Sequence, residues 1–314
     1  PLFHQGPSAL SKLIFFSALS LFLFTTIAGR LWCGFTCPQT VYTKLFMWIE
    51  HKVEGDRSAR LRPDAKKIME SLQEGGIAFE DYLMPRRLER INTASAELNR
   101  TVYEAAAERL DAGHVVGLVG GDHSTPLGLI RALAEREPGM GVLHLDAHCD
   151  LRRAYEGFDY SHASIMYNVL QEAPGVAKIV QVGQRDYSEE EYRLALSSPR
   201  IELFDDFSLC GRRFAGETWN AICDSIVVRL PEKVYVSFDI DVLSVEYCPS
   251  TGTPVAGGLT FNEALWLVDR IAAAGRRIVG FDLCEVAPAR EGTTDANVGA
   301  RVLFRLCGMA LKTN

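Results

Sequence analysis

Positive charge is scarce in this sequence of 314 residues, which has 33 Lys and Arg against 40 Asp and Glu and a formal net charge of −7. Proteins that bind nucleic acid through its phosphates present a basic face, so this charge balance argues against a nucleic-acid partner. The sequence also has no internal repeat and no low-complexity segment. Hydrophobic residues make up 47% of the chain, and this composition and length suit one large α/β domain or two small ones.

Regularly spaced cysteines are missing as well. The eight Cys residues are scattered along the chain. In a chain of this length, such cysteines are typical of reduced intracellular thiols rather than of a disulfide framework.

Residues 144–150 have the sequence HLDAHCD and follow a short apolar run, so they are predicted to begin on a buried strand and continue into a loop. Because side chains alternate between the faces of a strand, Asp146, His148 and Asp150 point the same way. His144 shares this face one step deeper, where a core histidine is expected and a partner of the site is the alternative. Two carboxylates and an imidazole are costly to bury unless a cation lies among them. This favours a divalent metal over a polar loop whose histidine is merely packed.

Three other apolar runs end in the same types of residue. They are residues 115–119, followed by GGDHS with His123; residues 234–238, followed by Asp239 and Asp241; and residues 277–283, followed by Glu285. Open parallel sheets bind ligands at the carboxyl ends of their strands, so these side chains are expected to converge with those of residues 146–150. Two His and four Asp form a hard, oxygen-rich donor set, which suits a pair of Mn²⁺ ions better than zinc or an iron–sulfur cluster.

These segments carry the motifs of a known family. Residues 120–124 (GGDHS), 146–150 (DAHCD), 237–241 (SFDID) and 251–259 (TGTPVAGGL) closely resemble the signatures of the arginase/agmatinase, or ureohydrolase, family. The resemblance extends from about residue 63 to the end of the chain. It implies an α/β fold, a three-layer α/β/α sandwich around a mostly parallel sheet, with two bound Mn²⁺ ions. Family members commonly form trimers or hexamers, so a homo-oligomer is expected.

The resemblance also implies a role for each acidic and histidine side chain. One ion would be held by His123, Asp146, Asp150 and Asp239, and the other by Asp146, His148, Asp239 and Asp241, with Asp146 and Asp239 bridging. The implied reaction is hydrolysis of a guanidino C–N bond, which yields urea and an amine. Asp150 would pass a proton to the leaving amine, His162 would exchange protons with solvent, and Glu285 would pair with the substrate guanidinium.

The substrate-binding loop departs from the arginase pattern. Arginases use an Asn/Ser-rich loop after the Asp-x-His-x-Asp motif, whereas this chain has Arg152, Arg153 and two tyrosines there. Arginine is therefore disfavoured, and agmatine or a related guanidino compound is expected. The two arginines could instead recognise an acidic tail, as in formiminoglutamate, or be plain surface charges. Substrate contacts are predicted for Glu285, Arg152 and Thr251, which lies in a tight Gly- and Pro-rich loop over the site.

The first sixty residues do not fit this picture. Residues 13–29 (LIFFSALSLFLFTTIAG) are uncharged, and they are just short of the roughly 20 residues that a membrane-spanning helix needs. A buried core helix or a signal peptide is the alternative. Residues 1–60 resemble a fragment of the polyferredoxin-type accessory proteins of cytochrome oxidase assembly. They hold only Cys33 and Cys37, which are too few to ligate an iron–sulfur cluster.

Two parts are therefore predicted in the chain. Residues 1–62 would be a hydrophobic helical segment with a candidate membrane contact through residues 13–29, and residues 63–314 would be a ureohydrolase domain in the cytoplasm. Family members usually open with an apolar strand that is not found here, so the sheet is expected to be one strand short. The competing function, favoured by residues 1–60 alone, is a membrane-associated redox accessory protein without catalysis.

Overall fold

A computed structural model describes residues 79–287 and 292–314 of the chain. The predicted hydrophobic segment, residues 1–62, and its candidate membrane contact at residues 13–29 lie outside the described residues, and so does the place of the expected opening strand. Within the described part, no helix is long and apolar enough to cross a membrane. Residues 85–314 form one compact unit.

Helices and strands alternate along this unit. The α-helices of the described residues are α1 (Phe79–Asp111), α2 (Leu127–Arg136), α3 (Ile165–Glu172), α4 (Glu189–Ser197), α5 (Asp206–Phe214), α6 (Trp219–Val227), α7 (Phe261–Ala273) and α8 (Thr294–Thr313). The strands are β1 (Val116–Val119), β2 (Met140–Leu145), β3 (Val176–Val182), β4 (Ile201–Phe204), β5 (Lys233–Asp239) and β6 (Arg277–Cys284). Short 3₁₀ turns lie at His162–Ser164 and Ile240–Val242.

The described strands form one sheet in the order β1-β6-β5-β2-β3-β4, and every pair of neighbours is parallel. A parallel sheet is covered on both faces, so its strands read as continuous apolar runs, such as the fully buried β2. These runs make the strands predictable almost to the residue: the runs at residues 115–119 and 277–283 correspond to β1 (Val116–Val119) and β6 (Arg277–Cys284). The predicted α/β fold with a parallel sheet is confirmed.

Helices cover both faces of the sheet and give it three layers. On one face, α1 to α4 form a core in which Leu133 and Met166 pack with the strand residue Tyr235. On the other face, α5 to α8 form a second core, in which Leu267 packs with Val236. Neighbouring residues of β5 thus enter different cores, because side chains alternate along a strand.

The helices are less predictable than the strands. The sequence predicts residues 262–274 as a helix, and α7 agrees within one residue because Thr260 and Glu263 form a capping box at its start. The sequence also predicts a mostly helical pattern over residues 64–110, with an amphipathic helix at residues 94–110, and α1 begins within that stretch and ends one residue beyond it. Four helices, α3, α4, α5 and α8, are not predicted from the sequence.

Gly128 lies where α2, the helix that follows the His123 loop, meets α1. A Cβ atom at Gly128 would lie 2.4 Å from Asn99 O and 2.6 Å from Tyr103 N. We expect Gly128→Ala to lower the free energy of unfolding by about 1–3 kcal/mol, because it would force two helix backbones apart. Gly211→Ala in α5 is the control, where a Cβ would meet nothing within 4 Å. It should raise stability by roughly 0.5–1 kcal/mol in urea denaturation. Equal effects would contradict the close approach.

Candidate active site

The carboxyl ends of β2 and β5 meet where the chain reverses its course through the sheet. From β2 the strands proceed outward through β3 to β4, and β5 then returns to the other side of β2. Such a reversal leaves a crevice between the loops that follow the two strands. The register pairs Leu145 with Phe238, so Asp146 and Asp239 leave the sheet at the same level.

His123 is the centre of one group of donor atoms. Its Nδ1 lies 3.0 Å from Asp146 Oδ2, 3.3 Å from Asp150 Oδ2 and 3.2 Å from Asp239 Oδ2. This nitrogen is buried and makes no hydrogen bond of acceptable geometry. Donor atoms that bind one six-coordinate cation at about 2.1 Å lie about 3 Å apart on neighbouring corners. The spacing of these four atoms therefore fits a cation among them.

Hydrogen bonds fix the rest of His123. Its Nε2 lies 2.9 Å from Ser237 Oγ, and its backbone N–H donates to Glu285 Oε1 at 2.9 Å. With a cation bound, a neutral ring that carries its proton on Nε2 would direct the Nδ1 lone pair at that cation. Burial lowers the pKa of His123, but the carboxylates outweigh it and raise that pKa well above its ordinary value. The same negative potential would attract a cation.

His148 is the centre of a second group. Its Nδ1 lies 3.1 Å from Asp241 Oδ2 and 3.3 Å from Asp146 Oδ1. Burial lowers the pKa of His148, but these two carboxylates raise it to about 11. Asp146 directs one oxygen to each group, the arrangement that a bridging ligand requires. The bridging role of Asp239 stays a prediction, because its oxygens contact His123 and the Asp241 N–H.

Four carboxylates are buried together in these groups, since Asp146, Asp150, Asp239 and Asp241 are each at most 3% exposed. Burial and the charges of Asp241 and Asp146 raise the pKa of Asp239 well above its ordinary value. Burial also opposes ionisation of Asp146, but His144 and the two ligand-site histidines outweigh it and lower that pKa. Buried like charges need a counter-charge, and two divalent cations would balance four carboxylates. The residues therefore fit a dinuclear metal site.

A backbone N–H and a buried histidine hold Asp146 in place. Its Oδ1 accepts from the His148 N–H at 2.6 Å, and its Oδ2 lies 2.9 Å from His144 Nε2. Gln181 Nε2 donates to His144 Nδ1 at 3.1 Å, which leaves the His144 proton on Nε2, facing the carboxylate. Of the two roles considered for His144, partner of the site is therefore the one that its contacts support.

A cleft opens beside the second group. It is lined by His148, Asp150, Arg152, Tyr155, His162, Ala163, Asp186, Glu191 and Thr253. His162 is partly exposed, and its Nδ1 lies 3.3 Å from Asp122 Oδ2. This contact raises the pKa of His162. The structure thus places the predicted proton shuttle between the cleft and solvent.

Glu285 and Asp150 share an unusual backbone conformation. Their φ angles of 61° and 53° are left-handed, which costs a non-glycine residue about 1–3 kcal/mol and is common at functional sites. One Glu285 carboxylate oxygen accepts the His123 N–H, and its backbone carbonyl accepts from the Thr251 hydroxyl at 3.0 Å. The predicted substrate contact at Thr251 therefore has its hydroxyl engaged, and Thr253 is the residue of that loop that lines the cleft.

Arg152 reaches the cleft as half of an ion pair. Its Nε donates to Glu191 Oε2 at 3.2 Å, and its guanidinium lies 4.6 Å from the centroid of the Tyr155 ring.

Two acidic residues of the cleft, Glu191 and Asp186, are not predicted from the sequence. Glu191 could have been found, since Ser188-x-x-Glu191 is a capping-box pattern at the start of α4. Asp186 follows β3 at the carboxyl edge of the sheet, where the other site residues lie.

Most of the chain is similar in sequence to known proteins. The model of the arginase family matches residues 57–308. The chain belongs to the arginase family. The N(1)-aminopropylagmatine ureohydrolase of Thermus thermophilus is 35% identical over 192 residues, which are 61% of this chain and 61% of that relative. The agmatinase of Bacillus anthracis is 29% identical over 269 residues, which are 80% of this chain and 87% of that relative.

A solved structure agrees with membership of the arginase family. The proclavaminate amidino hydrolase of Streptomyces clavuligerus has a TM-score of 0.60 at 28% identity, covering 69% of this chain and 71% of that one. A second family model, described as a 4Fe-4S binding domain, matches residues 10–54, in agreement with the predicted polyferredoxin-like segment. The boundary between residues 62 and 63 stays a prediction.

Bound metal should stabilise this arginase-family domain, because it neutralises the buried carboxylates. We expect Mn²⁺ added to EDTA-treated protein to contribute about 2.7 kcal/mol per site when its free concentration is 100-fold above the Kd. Scanning calorimetry would show this as a higher unfolding temperature. The increase should disappear in Asp146→Ala, which removes the donor shared by both groups, and persist in His114→Ala, an exposed histidine away from the cleft. An undiminished increase in Asp146→Ala would place the metal elsewhere.

The pKa of His162 should depend on Asp122. Burial opposes ionisation of Asp122, but hydrogen bonds from His162 and Ser124 lower its pKa to about 2. In Asp122→Asn, the raised pKa of His162 should fall toward the ordinary value of about 6.5. The pair stabilises the fold fully between the ordinary pKa values of the two groups, about 3.8 for Asp122 and about 6.5 for His162. This stabilisation is lost as pH rises through the folded pKa of His162 or falls through that of Asp122.

Imidazole NMR signals of EDTA-treated protein would measure this pKa, with His162→Gln to assign the resonance. Asp111→Asn is the control, because Asp111 bonds to Arg136 and not to a histidine. An unchanged His162 titration in Asp122→Asn would contradict the assignment.

Proposed function

We propose that this protein hydrolyses the C–N bond of a guanidino compound and releases urea and an amine, with two Mn²⁺ ions as cofactors. The observation that carries the proposal is the pair of donor groups that share Asp146 and open onto the cleft. Residues 63–314 would form the domain that performs the reaction.

Six side chains would hold the two ions: His123, Asp146, His148, Asp150, Asp239 and Asp241. Carboxylates and imidazoles without a thiolate are a hard donor set that suits Mn²⁺. Such ions, when bound, would act as Lewis acids and lower the pKa of water enough to supply hydroxide, the nucleophile for a guanidinium carbon, near neutral pH.

Side chains around the cleft would move protons and orient the substrate. Asp150, which lines the cleft, would accept a proton and pass it to the leaving amine. His162, at the wall of the cleft, would exchange that proton with solvent. Glu285 would accept hydrogen bonds from the guanidinium through the oxygen that does not contact His123.

The walls of the cleft favour a substrate whose far end is cationic. Asp186 and Glu191 line the cleft, and the positive charge of Arg152 is paired with Glu191. Agmatine and its aminopropyl derivative end in amines, whereas arginine and formiminoglutamate carry carboxylates at that end. Two relatives, an agmatinase and an aminopropylagmatine ureohydrolase, are named for substrates of this kind, in agreement with this choice. We therefore favour agmatine over arginine and formiminoglutamate.

Residues 1–62 would take no part in hydrolysis. The alternative function of a redox accessory protein rests on this segment, where the 4Fe-4S family model matches residues 10–54. That stretch holds only Cys33 and Cys37, whereas a cluster needs four ligands. We propose that the segment is separate from the ureohydrolase domain. Assembly into a homo-oligomer, which is common in the family, stays a prediction.

Urea release from agmatine and from arginine, measured separately with Mn²⁺ present, tests the proposal. We expect turnover of agmatine, a loss on the order of 100-fold or more in His148→Ala, and unchanged turnover in the His114→Ala control. Formamide release from formiminoglutamate tests the third substrate.

Each other outcome decides against part of the proposal. Turnover of arginine alone would overturn the choice of substrate. Protein that binds manganese but hydrolyses none of the three compounds would overturn the reaction. Bound iron with visible absorbance would instead support the redox function.

A further inference from the structure

Three loops around the site converge on Arg185, which follows β3. Its guanidinium donates to the backbone carbonyl oxygens of Gly183 (3.1 Å), Asp241 (2.7 Å), Leu243 (3.3 Å), Val255 (3.1 Å) and Ala256 (3.2 Å). These oxygens belong to the end of β3, to the 3₁₀ turn after β5 with the residue that follows it, and to the loop at residues 251–258. One side chain therefore joins segments that are distant in sequence.

The backbone around Arg185 is shaped to receive its guanidinium. Gly258 has a φ of +96°, and a Cβ atom there would lie 2.8 Å from Arg185 Nη2 and 2.8 Å from Val242 O. Gly257 has the same φ, and its Cβ would lie 2.8 Å from Asp206 Oδ2, the atom that accepts the Gly258 N–H. Side chains at these glycines would displace either the guanidinium or the loop.

Two of the segments that Arg185 holds carry residues of the site. The Asp241 carbonyl that accepts from Arg185 belongs to the residue whose carboxylate lies beside His148. Thr253, in the loop at residues 251–258, lines the cleft, and its Oγ1 lies 3.5 Å from Asp241 Oδ2. Loss of the guanidinium contacts would therefore remove a link shared by the backbone of Asp241 and the loop of Thr253, although Asp241 would keep its bonds to the Ala147 N–H and to Asp239.

We propose that Arg185 is a positioning residue for the ureohydrolase reaction, which places Asp241 among the metal donors and Thr253 at the wall of the cleft. The proposal rests on the proposed function and adds to it a residue whose guanidinium donates to backbone carbonyls of the loops rather than to the side chains of the metal donors. A guanidinium is suited to this role because it offers five N–H donors in one plane and no acceptor. A lysine would keep the charge, but its single ammonium group cannot reach all three segments.

Arg200 provides a matched control, because it makes the same type of contact away from the site. Its guanidinium donates to the carbonyl oxygens of Leu170, Ala173 and Val176, at 2.7–3.2 Å, near the start of β3. Both arginines are half-buried, and burial lowers the pKa of each. Arg185→Lys and Arg200→Lys should therefore have similar effects on overall stability, but only Arg185→Lys should affect the site.

The test compares the full-length wild-type, Arg185→Lys and Arg200→Lys proteins. In Arg185→Lys alone, hydrogen exchange of EDTA-treated protein should be faster at Ser244 and Leu259, whose N–H groups join the loop to the turn. Calorimetric titration should show one of the two Mn²⁺ ions bound on the order of 10-fold less tightly. With agmatine, the KM should rise by a larger factor than kcat falls.

Equal hydrogen exchange, Mn²⁺ binding and KM in the two lysine variants would overturn the proposal and leave Arg185 a purely structural residue. Asp206→Ala is the second test if Arg185→Lys does not fold, since it loosens only the Gly258 end of the loop. Exchange at Leu259 and the KM should then rise with Mn²⁺ binding unchanged, and no change in either would overturn the proposal. Hydrogen exchange and Mn²⁺ binding can both be measured without a substrate. They therefore decide the role of Arg185 even if the wild type fails to hydrolyse agmatine.

Discussion

Mutual repulsion among four buried carboxylates governs the arrangement of this domain. Asp146, Asp150, Asp239 and Asp241 lie at or just beyond the ends of strands, where the rigid sheet keeps their side chains from turning out to water. Buried charges of one sign must be balanced where they stand. The histidines supply part of the balance, and cations would supply the remainder. A cluster this acidic is thus suited to a site that holds metal cations.

The sheet positions the ligands, whereas charged side chains hold the loops of the cleft. Loop backbones have no ladder of hydrogen bonds, so their N–H and C=O groups need other partners. Glu191 accepts from the Leu151 and Ser188 N–H groups, while Arg185 donates to five carbonyls across three segments. These charges stabilise backbone around the site, which is why they carry no sequence motif of metal binding or catalysis.

The sequence reveals the strands and the donor residues because both depend on local pattern. An apolar run followed by Asp or His at every second position identifies residues 146–150 and residues 239–241 without knowledge of the neighbouring strands. The roles of Arg185 and Glu191 depend instead on which loops the order of the sheet brings together, and no single stretch of sequence contains that information. His144 is an intermediate case, since its position on the strand is predictable but its bond to Asp146 is not.

The pairing of Arg152 changes what its charge implies about the substrate. As an isolated cation beside the cleft it would attract a carboxylate, which is the basis for expecting an acidic tail. In the structure its guanidinium contacts Glu191 and stacks on Tyr155, so much of its field is cancelled within the protein. The remaining charged wall, with Asp186, is acidic, and a substrate with cationic groups at both ends would match it better than one with a terminal carboxylate. The proposed selectivity for an amine tail would then depend on an ion pair inside the protein rather than on a dedicated amine-binding residue.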